Sequence, residues 1–321
     1  MEPRGVARWQ VVLALGLVWV LWGSTYLAMR FAVETLPPFG MAAARFLVAG
    51  AILYGWTRLR GAPAPNLAQW RTAALVGLLL LFAANGAVVW AEQYISSSLA
   101  ALLVSVVPLF MALLEWVRHG RRPTVPVAIG LVVGFLGVVV LVDPRGIAVG
   151  DVAPLPVLLT VAAAFSFAAG SLLSRDGVAP PTPAMGSAMQ MLAGGGALLL
   201  LSAATGELAA FDPGAATLRS VGALLFLITF GSLIGFTAYV WLLRNVQPAL
   251  AGTYAYVNPV VAVFLGWALA DEAIGPRTLI ATVLIVGGVG AITLVKGRTA
   301  RPQAPAPAAP EEALVARHVR A

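Results

Sequence analysis

The sequence predicts an all-α membrane protein of ten transmembrane helices, arranged as two inverted five-helix repeats. The first observation behind this is composition: of 321 residues, 60% are hydrophobic and 10% charged, where soluble domains carry about 25% charged residues. The second is a recurrence of apolar runs close to the roughly 20 residues that a spanning helix needs. The third is that the second half of the chain repeats the order of the first.

Apolar runs bounded by charges, prolines or glycines mark spans at 11–29, 39–57, 72–91, 97–117, 125–142, 154–174, 184–204, 220–242, 248–270 and 278–295. The first is too long for a cleavable signal, lacks an Ala-x-Ala site and leads straight into a second span. With the N-terminal segment 1–10 in the cytoplasm, fifteen of the twenty Lys and Arg residues fall on cytoplasmic segments, from Arg4 and Arg8 to Arg317 and Arg320. Only Arg30, Arg145, Arg219 and Arg277 fall opposite, and Arg45 lies inside a span. Cationic loops stay in the cytoplasm, so both termini are expected inside. Heavy Ala and Arg usage with almost no Lys suggests a GC-rich bacterial genome, and the bacterial inner (cell) membrane is the expected location. The net charge of +7 then reflects topology and not a nucleic-acid partner. Residues 297–321, rich in Pro and Ala, read as a disordered cytoplasmic tail.

Residues 165–175 lie over 20–30 at an offset of 145, with Arg175 over Arg30. At an offset of 151, Trp241 lies over Trp90, Pro259 over Pro108 and Trp267 over Trp116. At 153, Gly287-Gly288-Val289-Gly290 lies over Gly134-Phe135-Leu136-Gly137. Residues 11–145 and 146–296 therefore form two repeats. Five is odd, so the second repeat enters the membrane from the opposite side. Secondary transporters use this plan, with a substrate site near the midplane between the repeats.

The scarce residue types exclude much chemistry. There is no Cys, Lys296 is the only Lys, and His119 and His318 are the only histidines. Disulfides, thiolate catalysis and Cys-based metal sites are ruled out, and no Gly-Lys pair exists for a phosphate-binding loop. No cofactor, metal or catalytic residue is expected. A membrane-embedded enzyme acting on lipid, or a non-catalytic membrane partner subunit, is the alternative, and neither accounts for an inverted repeat.

Arg45 leads the candidate residues for substrate binding or gating. A charge roughly 10 Å inside a span faces the bundle interior or an aqueous cavity by default. It reads either as a contact for an anionic substrate or as a snorkelling side chain paired with Glu92. Glu92 and Gln93 sit where the third span turns into the fourth. Glu92 reads as a proton-coupling carboxylate if burial raises its pKa, and otherwise as a solvated loop acid. Pro108 and Pro259 fall near mid-bilayer in corresponding spans, where a lost backbone donor makes a hinge or exposes carbonyls to a cavity. Asn258 adds an amide beside Pro259. Trp19, Trp22 and Tyr26 share a helix face, as do Tyr254 and Asn258, and these faces suit a cavity for a small amphiphile. The glycines of spans five and ten permit close helix approach, within a scaffold or across a homodimer.

The segment Trp22-Gly23-Ser24-Thr25-Tyr26-Leu27-Ala28-Met29-Arg30, with Leu36-Pro37-Pro38 and Arg45-Phe46-Leu47, resembles the opening of EamA-type transporters of the drug/metabolite transporter superfamily. Trp90-Ala91-Glu92-Gln93-Tyr94-Ile95, leading into Ser98-Leu99-Ala100-Ala101 and Pro108-Leu109, is similar to the same family. The resemblance covers about residues 10–296. It implies ten spans, a central cavity lined by helices 1–4 and 6–9, and export of small metabolites, amino acids or drug-like compounds by alternating access. A Gly-Glu pair often ends the fourth span in that family. Gly120-Arg121 stands here instead, while the second repeat has Asp271-Glu272.

Overall fold

The computed structural model describes residues 7–120, 125–142, 154–245 and 254–299. The first six residues, the tail from 300 on, and the segments 121–124, 143–153 and 246–253 lie outside the described residues. Ten long helices follow in order among those described: α1 Arg8–Ala32, α2 Pro38–Leu59, α3 Leu67–Ala91, α4 97–119, α5 Val125–Val142, α6 Pro154–Asp176, α7 Pro183–Ala204, α8 218–245, α9 Tyr254–Ala270 and α10 Pro276–Thr299. Seven of them, α1 to α4 and α6 to α8, are long and apolar enough to cross a membrane, and α9 and α10 contribute shorter apolar stretches. No strand occurs among the described residues.

The helix starts carry the expected chemistry. The side chains of Asn66, Ser96, Thr182 and Thr217 accept from backbone N–H groups in the first turns of α3, α4, α7 and α8. Pro38 and Pro183 occupy first-turn positions that need no N–H.

Three helices are irregular in ways that matter for the site. α3 and α8 each contain a π-helical stretch at matching places, Leu78–Asn85 and Leu227–Ile234. α4 breaks at Ser105 and Val106 into Ser97–Val104 and Val107–His119, with Pro108 in the first turn of the second piece. There the missing N–H leaves nothing unpaired. Pro259 instead sits inside a continuous α9. The two prolines that correspond in sequence thus occupy different local structures.

Helix packing follows a swapped pattern. α2 lies along α7, and α5 along α10. α1 packs on α9 and α8, just as α6 packs on α4 and α3; α3 packs on α7 as α8 packs on α2. Replacing each helix by the one five places away leaves these pairings unchanged. Glycine permits the closest approaches. A Cβ on Gly194 would meet the Gly77 carbonyl oxygen at 2.7 Å, and one on Gly288 would meet the Gly130 carbonyl oxygen at 2.6 Å and the Gly134 nitrogen at 2.7 Å. The glycine faces of spans five and ten therefore meet each other within one chain. Of the two roles expected for these glycines, close approach within the scaffold is the one formed by Gly130, Gly134 and Gly288.

Candidate functional site

A cavity of about 150 Å³ opens mid-bundle, with walls from α1, α2, α3, α4, α6, α8 and α9. Apolar side chains such as Leu80, Val88, Phe167 and Phe236 form most of it. Among the sequence candidates, Trp22, Tyr26, Arg45, Tyr254, Asn258 and Pro259 line it. Trp19, Glu92, Gln93 and Pro108 do not, although Val107, next to Pro108, does.

Arg45 is 5% exposed and turns across the bundle, not out along its own stem. Its Nε donates to Ser232 Oγ at 3.0 Å, and Nη1 approaches Met29 Sδ at 3.6 Å. Ser232 belongs to the π-helical stretch of α8. The neighbouring Gly231 makes room, since a Cβ there would lie 3.3 Å from Arg45 Nη2 and 3.0 Å from Thr25 Cγ2. The Gly231 carbonyl accepts from Trp22 Nε1 at 3.1 Å. Among the described residues no carboxylate oxygen lies within 4.0 Å of the guanidinium. The Arg45–Glu92 ion pair anticipated from sequence is therefore not formed.

Asn85 is the residue that the sequence reading missed. It ends the π-helical stretch of α3, lines the cavity, and its buried Oδ1 accepts no hydrogen bond. A lone amide inside the otherwise apolar run 72–91 was the available signal. π-Helical turns recur at functional sites because they displace side chains from the regular ladder. Here the two such stretches carry Asn85 and the Ser232–Gly231 contact to Arg45.

Toward the end of the bundle that holds the start of α1, aromatic packing closes the cavity. The Trp22 ring centroid lies 4.9 Å from Tyr239, 5.1 Å from Tyr254 and 5.6 Å from Phe236. Val18, Leu15 and Leu242 pack beyond these rings, and Trp19 joins that plug. The Asn258 amide nitrogen donates to the Tyr254 and Trp19 carbonyl oxygens, both at 3.2 Å, tying α9 to α1.

At the opposite end, which holds the α3–α4 and α9–α10 turns, carboxylates tie the helices together. Asp271 adopts a left-handed φ of 52° and ends α9, while the Glu272 N–H donates to the Gly266 carbonyl at 3.1 Å. The Glu272 carboxylate accepts from Ser97 N and Oγ, both at 2.8 Å, from Ser98 N at 3.0 Å, and from Ser98 Oγ. It thus caps the start of α4, where free N–H groups and the helix dipole favour an anion. Glu207 acts likewise at α2, accepting from Phe39 N and Gly40 N at 3.1 Å and from Ser202 Oγ at 2.8 Å.

Glu92 lies one residue beyond α3 and is fully buried, which corrects the solvated-loop reading. Neither carboxylate oxygen has a hydrogen-bond partner, while its backbone carbonyl accepts from Arg30 Nη1 at 2.5 Å. Burial first, then the charge of Glu272, raises its carboxyl well above the usual carboxylate range, against the opposing pull of Arg30 and Arg45. Gln93 is exposed, donates to the Trp90 carbonyl at 3.1 Å, and lines a separate vestibule of about 470 Å³ with Arg30, Glu34, Arg219, Asp271 and Glu272.

A bundle of apolar helices around a mid-bundle cavity, with Arg45 the one buried cation among the described residues, is the architecture expected of a membrane solute carrier. The chain belongs to the EamA-like transporter family, whose profile matches residues 9–143 and again 154–294. It is similar to the "Uncharacterized inner membrane transporter YedA" of Escherichia coli, at 39% identity over 88% of this chain and 90% of that one. The "WAT1-related protein At3g02690, chloroplastic" of Arabidopsis thaliana is 24% identical over 86% of this chain and 67% of its own length. A solved crystal structure shares the fold with a TM-score of 0.62 at 22% identity, covering 92% of this chain and 100% of that one.

Proposed function

We propose that the chain is a secondary active or facilitative transporter that exports a small amphipathic metabolite, amino acid or drug-like compound across the inner membrane by alternating access. The observation that carries this reading is one cavity lined by a buried cation with no carboxylate against it, Arg45, and an amide oxygen with no donor, Asn85 Oδ1. A buried cation without a carboxylate is costly by several kcal/mol, and a buried acceptor left unmade costs about 1–3 kcal/mol. A solute with an acidic head for Arg45, a nearby N–H or O–H for Asn85 Oδ1 and an apolar body for Leu80, Phe167 and Phe236 satisfies all three parts.

The double family match at 9–143 and 154–294 and the swapped helix pairings support two inverted repeats at 11–145 and 146–296, rocking about the cavity. The bias of Lys and Arg supports cytoplasmic termini. In that orientation the carboxylate-closed end faces outward and the aromatic plug faces the cytoplasm.

Ligand stabilisation of purified protein, followed by liposome flux, tests the reading. Amphipathic acids bearing a donor are expected to raise Tm and to be carried, and Arg45→Gln is expected to lower their flux about tenfold or more, one charge-assisted hydrogen bond being worth about 1.5–3 kcal/mol. Undiminished flux in well-folded Arg45→Gln protein removes Arg45 from the site. Folded protein that carries none of the panel in either direction contradicts the substrate class.

A further inference from the structure

Resting on the transport reading for its orientation only, we propose that Glu92 is the proton-binding residue of the outer gate, neutral while Glu272 holds Ser97 and Ser98 and ionised once that contact opens to water.

The geometry begins with an oxygen pair that has no donor. Glu92 is 0% exposed and both carboxylate oxygens lack a hydrogen bond. An ionised carboxylate so placed carries an uncompensated desolvation cost that a single proton removes. The donors and charges around it are engaged elsewhere. From α1, Arg30 Nη1 is held by the Glu92 backbone carbonyl and not by its carboxylate, and Tyr26, on the cavity wall, feels the charge of Glu92. From α2, Arg45 is turned to Ser232. From α4, the N–H and hydroxyl groups of Ser97 and Ser98 are taken by Glu272. From the end of α9, Glu272 is a second carboxylate, whose oxygens accept from those donors, and Asp271 shares its vestibule. Of the two acids, Glu272 has the donors that an anion needs and Glu92 has none.

The contact that seals the end of α4 is also what keeps water from Glu92. When Glu272 leaves Ser97 and Ser98, the vestibule lined by Arg30, Ser96 and Glu272 merges with the space around Glu92, and water can solvate its anion. The proton passes from one carboxylate oxygen to vestibule water on opening and returns on closing; no other bond changes. The closed form therefore binds the proton more tightly, and acidifying the outside favours closure. The same linkage means that closing the outer gate takes up one proton from that side.

The chain has no Cys, so a single thiol reports gate position without other changes. Ser105→Cys places it on the cavity wall, and Ala209→Cys, at an exposed site, corrects for the pH dependence of thiol chemistry. Labelling by a membrane-impermeant reagent from the outer face is followed from about pH 8 to about pH 5.5, where one proton shifts the open-to-closed ratio by at most about tenfold per unit. The corrected rate at position 105 is expected to fall severalfold on acidification, to be low and flat with Glu92→Gln, and to stay pH-dependent with Glu92→Asp. Infrared pH-difference spectra of the same protein are expected to show a protonated-carboxyl band that Glu92→Gln abolishes. An unaltered pH dependence in Glu92→Gln overturns the proposal. So does labelling that follows sodium against choline at fixed pH, which would make the site one for a metal cation. Neither readout uses a substrate, so failure of the transport reading leaves this test intact.

Discussion

The ends of α4 and α9 share a backbone and differ in the side chain that follows it. Each helix stops at a left-handed residue, Gly120 at φ 65° and Asp271 at φ 52°, and the two positions correspond at the 151-residue offset of the repeats. The next residue is Arg121 in the first half and Glu272 in the second. Glu272 supplies a carboxylate to the start of α4; in sequence the first half carries Arg121, a cation, at the matching position. The end of the cavity toward the start of α1 is instead closed by Trp22, Tyr239 and Tyr254. The two ends are thus held by unlike chemistry, charge-assisted hydrogen bonds at one and aromatic burial at the other, and on the proposed transport reading pH and salt act on one end more than on its twin.

Breaking the carboxylate cap tests that contrast most strongly. Glu272→Ala removes the acceptor for four donors and is expected to destabilise the outer-closed form by about 2–3 kcal/mol, read as a rise of tenfold or more in outer labelling at Ser105→Cys. Gly266→Ala attacks the same contact from beneath, because its Cβ would meet Glu272 Oε2 and lie 2.6 Å from Ser98 Oγ. A shift in the same direction of about 1–2 kcal/mol is expected. Asp271→Gly is the mildest change. It relieves a left-handed non-glycine residue while keeping Glu272, and a gain of about 0.5 kcal/mol in thermal stability with unchanged labelling is expected.

Much of the fold was legible because spans are written in one-dimensional hydropathy. The apolar runs from 11–29 to 278–295 fall within α1 to α10 to within a few residues wherever the chain is described. Arg45 was legible for the same reason, as a charge inside an apolar run. Asn85 was not singled out because an uncharged amide hardly disturbs such a run, and the π-helical turns that present it have no sequence signature. Trp19 shares a three-residue spacing with Trp22, but three steps leave a rotation of about 60°, and Trp19 packs in the plug beyond the cavity. The fate of Glu92 was out of reach for a further reason. Neighbouring Gln93 is exposed, and what separates the two is packing with α4 and with Glu272, 180 positions away in sequence.

The central claim is that one cavity serves both sides of the membrane in turn, closed on the outside by Glu272. Side-specific labelling of Ser105→Cys, in right-side-out and inverted vesicles, with and without Glu272→Ala, tests it directly. The account predicts that the thiol is reached from both faces and that removing the Glu272 carboxylate raises outer labelling at the expense of inner labelling. A thiol reached from one face alone, with rates indifferent to Glu272, would contradict it.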